Sequence, residues 1–359
     1  MTRARDLADR VNQSAGATGK NLLINGHMGI FQRSTSVSSI TTTNYYTADR
    51  WRTAANSLGV FTQSRSFDVP SAQGFNHSLK MDCTSANASP LSNRLLILQQ
   101  KIEGQNLQHL LKGSSSSKAI TLSFWVKSNK TGRYVIEIDH EDVSRSISKS
   151  YTINSADTWE KKEITFEGDT STAIANDNGI GLSILWWLAA GSNYTSGTLQ
   201  TSWGVTVGAN RAVGQVNLAD STSNEWYLTG CQLEVGEKAT DFEFESYPKV
   251  LEKCQRYYFR PSNGVYGWQG RRGGGRFVRV NNRTQGTIEF PTTMRASPSL
   301  SATRSYGDGI WSSGSISANN GWSNPFSPNF INIEANVNVN SGSGNGGTFG
   351  FSIKISAEL

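Results

Sequence analysis

The segment GIGLSILWWLAA, residues 179–190, restricts what this chain can become more than any other stretch. Ile180, Leu182, Ile184, Trp186 and Leu188 recur with a period of two, which sets them along one face of an extended strand. The opposite phase carries Leu185 and Trp187, so both faces need cover. Such a strand belongs in the middle of a sheet with something packed on each side. No apolar run in the chain is long enough to span a bilayer.

The surrounding text keeps the same period. TLSFWVKS sets Leu122, Phe124 and Val126 against Ser123, Trp125 and Lys127, and GRYVIEIDH sets Tyr134, Ile136 and Ile138 against Val135, Glu137 and Asp139. TWEKKEITFEG alternates around Ile164 and Phe166, and SWGVTV reads as a further strand with Trp203, Val205 and Val207. Leu79–Asp82 and Leu96–Gly104 are strands, with a short helix over Asn106–Leu111. In the closing strand Trp226 and Leu228 hold one phase while Cys231, Leu233 and Val235 hold the other. A phase change at Gly230 predicts a β-bulge there. Hydrophobic residues are only 36% of the chain and glycines number 35, which suits many short strands joined by polar turns. Of the tryptophans, Trp125, Trp186 and Trp203 read as core. The pattern predicts an all-β fold: a jelly-roll sandwich over residues 21–245.

Four regions follow from 359 residues. Residues 1–20 open with an amphipathic helix whose apolar stripe is Ala4, Leu7, Ala8 and Val11; three turns are marginal alone in water, so it should dock on something. The SAGATGK that follows lacks the spacing and preceding strand of a phosphate loop. Residues 246–260 form a helical connector, with Val250, Leu251, Cys254 and Tyr258 at helical spacing. Residues 261–359 form a smaller C-terminal β-sandwich module. There FVRV, TIEF and SLSATR are short strands, and FINIEANVNVN and TFGFSIKISAEL flank SGSGNGG as a hairpin. The apolar face of this module is narrow, so burial against identical copies around an axis would help it fold.

Little in the chain looks catalytic. Asp139-His140-Glu141-Asp142 is the best acidic cluster, but it closes a strand and enters a loop, where charge is ordinary. His27, His77 and His109 have no metal or triad setting, and Cys83, Cys231 and Cys254 read as small buried hydrophobes. The net charge of +6 is concentrated in arginines from Arg260 onward. Arg271-Arg272-Gly273-Gly274-Gly275-Arg276 is a single basic loop rather than a nucleic-acid tract. Tyr266, Trp268, Tyr306, Trp311 and Trp322, in Gly/Ser/Asn-rich text, are candidate glycan- or receptor-binding plates; as core of a trimer they would serve equally well.

Three stretches carry a resemblance. NLLINGHMGIFQRSTS…YYTADRW, the order KIEG…LSFWVKS…GRY, and the exit WYLTGCQLEVGEKATDFE…CQRYY resemble structural proteins of tailed bacteriophages that carry a carbohydrate-binding-module-like jelly roll. The resemblance implies a non-enzymatic virion protein, a tail fibre or receptor-binding appendage, mediating attachment to host-surface glycan. It implies a homotrimer held to the tail or other virion proteins through residues 1–20, with Leu7, Ala8 and Val11 as the attachment stripe. A capsid decoration or head-fibre protein and a glycan-depolymerase tailspike are the alternatives. The chain is expected to be made in the host cytoplasm, without nucleic-acid partners or membrane insertion. No cofactor is expected, although carbohydrate-binding jelly rolls often hold a structural Ca2+, for which the sequence names no ligands.

Overall fold

The computed structural model describes residues 19–260, 265–268, 277–280, 283–306, 316–318, 329–336 and 348–359. The chain divides into two compact units, Met1–Glu245 and Ser246–Leu359. The helix expected over residues 3–13, with Leu7, Ala8 and Val11, lies outside the described residues. No helix among the described residues is long and apolar enough to cross a membrane.

Among the described residues the first unit has thirteen strands: β1 (Ser36–Ile40), β2 (Asn44–Tyr45), β3 (Arg52–Ala55), β4 (Val60–Ser66), β5 (Ser78–Ser85), β6 (Leu95–Glu103), β7 (Ile120–Ser128), β8 (Gly132–His140), β9 (Arg145–Ile153), β10 (Glu160–Phe166), β11 (Ile180–Ala190), β12 (Gly204–Val205) and β13 (Glu225–Val235). They form two antiparallel sheets, a six-stranded one in the order β1-β4-β5-β13-β7-β10 and a seven-stranded one in the order β12-β9-β8-β11-β6-β3-β2. This is a jelly-roll β-sandwich. As its sequence requires, β11 is the central strand of the larger sheet, paired with β6 and β8. Its inward phase enters the main core, where Trp186 meets Trp51 at 5.2 Å between ring centroids and Phe124 of β7 edge-on at 5.9 Å. Phe124 in turn meets Tyr151, which stacks on Tyr134, so a chain of rings joins the two sheets. The outward phase of β11 sits in a second buried cluster, Ile97, Val135, Leu185, Trp187 and Ala212. Tyr194 of the short helix α1 (Ser192–Thr195) and Leu199 pack on it, supplied by the excursion between β11 and β13.

The two ends of the unit are tied together. Asn21 Oδ1 accepts from Leu233 N at 3.1 Å, Leu22 N donates to Leu233 O at 2.8 Å, and the Glu243 carboxylate accepts from the amides of Gly19 and Asn21. Asn25, at φ 59°, accepts from Gly29 N and Ile30 N and donates to the carbonyls of Ile30 and Asp49; its own carbonyl takes the Trp51 indole N–H at 3.1 Å. Residues 21–34 are consequently a turn cap. In it the Asn25 amide group supplies the hydrogen bonds that a strand ladder would otherwise provide. Gly26 is required by this packing, since a Cβ there would run into the Cys231 carbonyl.

The bulge expected in β13 is present: its register against β7 shifts between Thr229 and Gln232, and Gly230 takes φ 62°. A side chain at Gly230 would meet the Phe75 ring at 2.6 Å. The strand expected over residues 202–207 shrinks to β12, two residues at the edge of the larger sheet, with Val205 68% and Val207 47% exposed. Only the 203–207 phase suggested burial, and an edge position leaves that phase unsheltered. All three cysteines are buried, with no disulfide between them.

The second unit opens on helix α2 (Tyr247–Gln255), with Pro248 in its first turn and Val250 and Cys254 buried. Its strands are β14 (Tyr258–Phe259), β15 (Val265–Trp268), β16 (Phe277–Val280), β17 (Arg283–Glu289), β18 (Ser299–Tyr306), β19 (Ile316–Ala318), β20 (Phe330–Asn336) and β21 (Thr348–Ser356). β21 is flanked by β14 and β15 on one edge and β18 on the other; β16, β17, β20 and β19 form a separate antiparallel sheet. β20 and β21 therefore lie in different sheets and do not make the hairpin expected across residues 341–347. Period-two alternation fixes which face is buried and leaves the neighbouring strand open, and a Gly/Ser-rich link can cross between sheets as well as turn back.

Candidate functional site

Each sheet of the jelly roll has an outer face, and the two are built differently. On the six-stranded sheet the register lines up Ser64, Lys80, Tyr227 and Lys127 in one row across β4, β5, β13 and β7. A second row holds Thr62, Asp82 and Glu225. Residues opposite one another share a face with Cβ atoms about 5 Å apart, so Tyr227 is bracketed by two lysines. Lys127 Nζ lies 4.4 Å from the Tyr227 ring centroid and Lys80 Nζ 5.5 Å. Trp159, just before β10, approaches Tyr227 edge-on at 6.2 Å, and its indole N–H donates to Asp68 Oδ1 at 2.8 Å.

Charges around these rings are paired: Lys127 is buried beside Tyr227, while Lys80, Glu225 and Asp68 keep a quarter or more of their side chains in water. Lys127 binds Asp68, and Lys80 binds Glu225 and, at 3.5 Å, Asp82. Burial works against the charge on Lys80, but the bond to Glu225 and the nearby acidic groups outweigh it and raise its pKa. Burial pushes the Tyr227 hydroxyl up to about 12, so it stays a neutral donor. Partial burial alone would raise Asp68, but the bonds from Lys127 and Trp159 prevail and lower it. A half-buried indole thus stands among ammonium and carboxylate heads that can donate to and accept from hydroxyl groups. Further along the same face Trp125 and Phe75 meet over Gly230, and Phe75 contacts Phe242 and Phe244, the latter 56% exposed.

The outer face of the seven-stranded sheet is closed. Glu137 is fully buried and accepts from Arg211 Nε at 2.8 Å and from the Trp187 indole N–H at 2.9 Å. Arg211 Nη2 also reaches Asp139 at 3.1 Å, and its guanidinium lies over Trp187. Lys101 holds Glu141 at 3.1 Å, and Ser183 donates to the same carboxylate. Burial, then repulsion from Glu137, pushes the Asp139 carboxyl up to about 6 despite Arg211.

The four residues read together in sequence at 139–142 are separated by this geometry. Asp139 and Glu141 join the outer network, while His140 follows the inward phase of Ile136 and Ile138 and is fully buried. Among the described residues no group of three or more His, Cys, Asp and Glu is placed to hold a metal ion. In the second unit, Tyr266 stands opposite Gly350 and Trp268 opposite Thr348, whereas Tyr306 stands opposite Phe349, one register position out of phase. Trp311 and Trp322, and the arginines from 271 to 276, lie outside the described residues. Of the tryptophans read as core, Trp186 is fully buried, Trp125 is half-buried on the outer face and Trp203 packs at the margin of the core. Sequence reading passed over Trp159 and Tyr227; the signal was their phase, outward with Lys161 and Glu225 rather than inward with Phe166 and Leu228.

No protein-family model matches the chain, and no curated protein matches it in sequence. Solved structures similar in fold include the enzymatically active domain of tailspike protein 4 of bacteriophage CBA120 (12% identity, TM-score 0.32, over 60% of this chain and 22% of that one). They include the module TmCBM61 in complex with β-1,4-galactotriose (11%, 0.31, over 61% and 100%). They also include the tripod from the baseplate of bacteriophage Tuc2009 (10%, 0.28, over 92% and 88%). The chain spans about a fifth of the length of that tailspike domain, all of the module and most of the tripod chain.

Proposed function

We propose that this chain is a non-enzymatic structural component of a phage virion, a tail fibre or appendage, and that it attaches to host-surface glycan through the outer face of the six-stranded sheet. The observation that carries the reading is the Ser64–Lys80–Tyr227–Lys127 row beside the half-exposed Trp159. Sugar rings pack their C–H faces on aromatic plates, and paired charged heads around such a plate hydrogen-bond hydroxyls in fixed directions. A non-enzymatic role is supported by the state of the acidic residues: Glu137 and Asp139 are held by Arg211, and Glu141 by Lys101 and Ser183. Three copies around an axis would add weak sites into strong attachment through effective concentration.

The test is binding of purified protein to host cells and to immobilised host polysaccharide, with Trp159→Ala as the control. Saturable binding that the substitution weakens, without release of reducing ends, supports the reading. Equal binding by the variant overturns the site, release of reducing ends overturns the non-enzymatic role, and a monomer mass by light scattering overturns the trimer.

A further inference from the structure

A different cluster lies where β8, β9, the turn after Leu110 and the segment before β12 come together. His140 ends β8 opposite Arg145; it is fully buried, and neither ring nitrogen has a hydrogen-bond partner. Lys112 is 8% exposed, its Nζ stands 3.4 Å from the Trp203 ring centroid, and it too lacks a hydrogen-bond partner. Beside them Arg145 grips Asp169 through two bonds of 2.9 and 3.0 Å. The buried hydroxyl of Ser117, against Gly168, is also unpartnered.

The charges do not cancel. Asp142 also acts on His140, but from the exposed turn after β8; among the buried groups Arg145 and Asp169 neutralise one another, which leaves the Lys112 ammonium in excess. Burial brings Lys112 down to about 8, with Asp169 opposing and Arg145 assisting, so it is still mostly protonated at pH 7. Burial, and then Lys112 itself, hold His140 toward its neutral form, which has one ring N–H to donate. Buried donors are normally paired, and an unpaired buried cation is the costliest case. What complements an excess ammonium, an imidazole N–H and a hydroxyl is a small acceptor of charge −1, and the half-buried indole of Trp203 provides a flat wall for the body that carries it.

We propose that Lys112, His140 and Trp203 form a binding site for a carboxylate group, distinct from the Trp159 face. The shared chemistry fits both a free small carboxylate and the acid group of a uronic-type sugar, and the probes separate the two sources. Acetate, glucuronate, glucose and chloride are titrated at constant ionic strength into the full chain, following the 15N-coupled imidazole signals of His140 and the melting temperature.

A saturable shift with acetate and glucuronate but not with glucose or chloride supports the site. A response tenfold more sensitive to glucuronate assigns it to acidic sugars, and equal sensitivity assigns it to carboxylates in general. Lys112→Met should weaken the response at least tenfold and Lys112→Arg should retain it. Affinity should fall as pH rises through 8, when Lys112 loses its proton. Absence of any His140 response in the wild type, or an equal response to chloride, overturns the proposal whether or not the variants fold. Trp159→Ala should leave these titrations unchanged, so failure here and failure of the glycan face are separate results.

Discussion

The two outer faces of the jelly roll use similar residues to opposite ends. Both set lysine or arginine against aromatic rings and carboxylates. On the seven-stranded sheet Glu137 is fully buried beneath Arg211 and Trp187, and the excursion carrying Tyr194 and Leu199 seals the rings. On the six-stranded sheet Lys127 is likewise buried, but the Lys80–Glu225 pair is half-exposed, its side chains 25% and 28% accessible, and Asp68 is open to water. Burial decides what the same contacts are worth: a buried pair broken on one side strands a charge, while an exposed pair exchanges protein contacts for water at little cost. The first face is closed, and the second is the one proposed to bind glycan.

The sharpest way to break this contrast is Glu137→Ala. It would leave the Arg211 guanidinium with only Asp139 and deprive the Trp187 indole of its acceptor. Destabilisation of about 3–5 kcal/mol is expected, read by urea unfolding. A loss under about 1 kcal/mol would mean the closed face is wet and the contrast false.

The next effect is a pH dependence. The Asp139 carboxyl is raised to about 6 in the folded chain, above its ordinary value. Between about pH 4 and 6 the folded state therefore holds a proton that the unfolded state has lost. The contribution of this group to stability is largest below pH 4 and declines as pH rises to 6. Asp139→Asn should remove that decline, an effect on the order of 1–3 kcal/mol in the difference between variant and wild type across the window. Parallel stability curves from pH 4 to 6 would show that Asp139 does not carry it.

How far sequence alone reached depends on which physical rule governs each residue. The central place of β11 was legible because apolar residues on both phases admit few other positions, and the bulge at Gly230 was legible because a phase change has one cheap solution. The turn cap at Asn25 was not, since its bonds run from one side chain to carbonyls up to 24 residues away. Nor was the split of β20 from β21, because alternation names a face and not a neighbour. The candidate site falls between these cases. Tyr227 and Lys80 are visibly outward, but only the register places them in one row, and Trp159 joins them from outside any strand. His140 shows the same limit from the other side: beside Asp139 and Glu141 it resembled one cluster, and a half-turn of alternation separates it from both.

Trp159→Ala tests the open face directly. Stability should change by less than about 1 kcal/mol, since the ring is half-exposed, while glycan affinity should fall about tenfold, equivalent to about 1.4 kcal/mol. The two measurements must diverge for the comparison to hold; a variant that unfolds and one that binds normally both contradict it.

The smallest effect is the most diagnostic of openness. Lys80 reaches Glu225 and Asp82 and lies over Tyr227, and its counterpart in reach and chemistry on the closed face is Lys101, which is 8% exposed and holds Glu141. Lys80→Met keeps the aliphatic stem over the ring and deletes the charge. If the row is a solvated surface, the pairs contribute between 0 and about 1 kcal/mol, and even that should fade as salt rises from 0.05 to about 0.5 M, where exposed charges are screened within a few ångströms. Lys101→Met should cost more and respond less to salt, because the Lys101 ammonium is itself nearly enclosed by protein, with a 9% accessible side chain, although Glu141 keeps about a third of its side chain in water. Urea midpoints for both variants at the two salt concentrations give a four-way comparison. Equal losses with equal salt responses would mean that the two faces differ in appearance only, and that neither is set apart for binding.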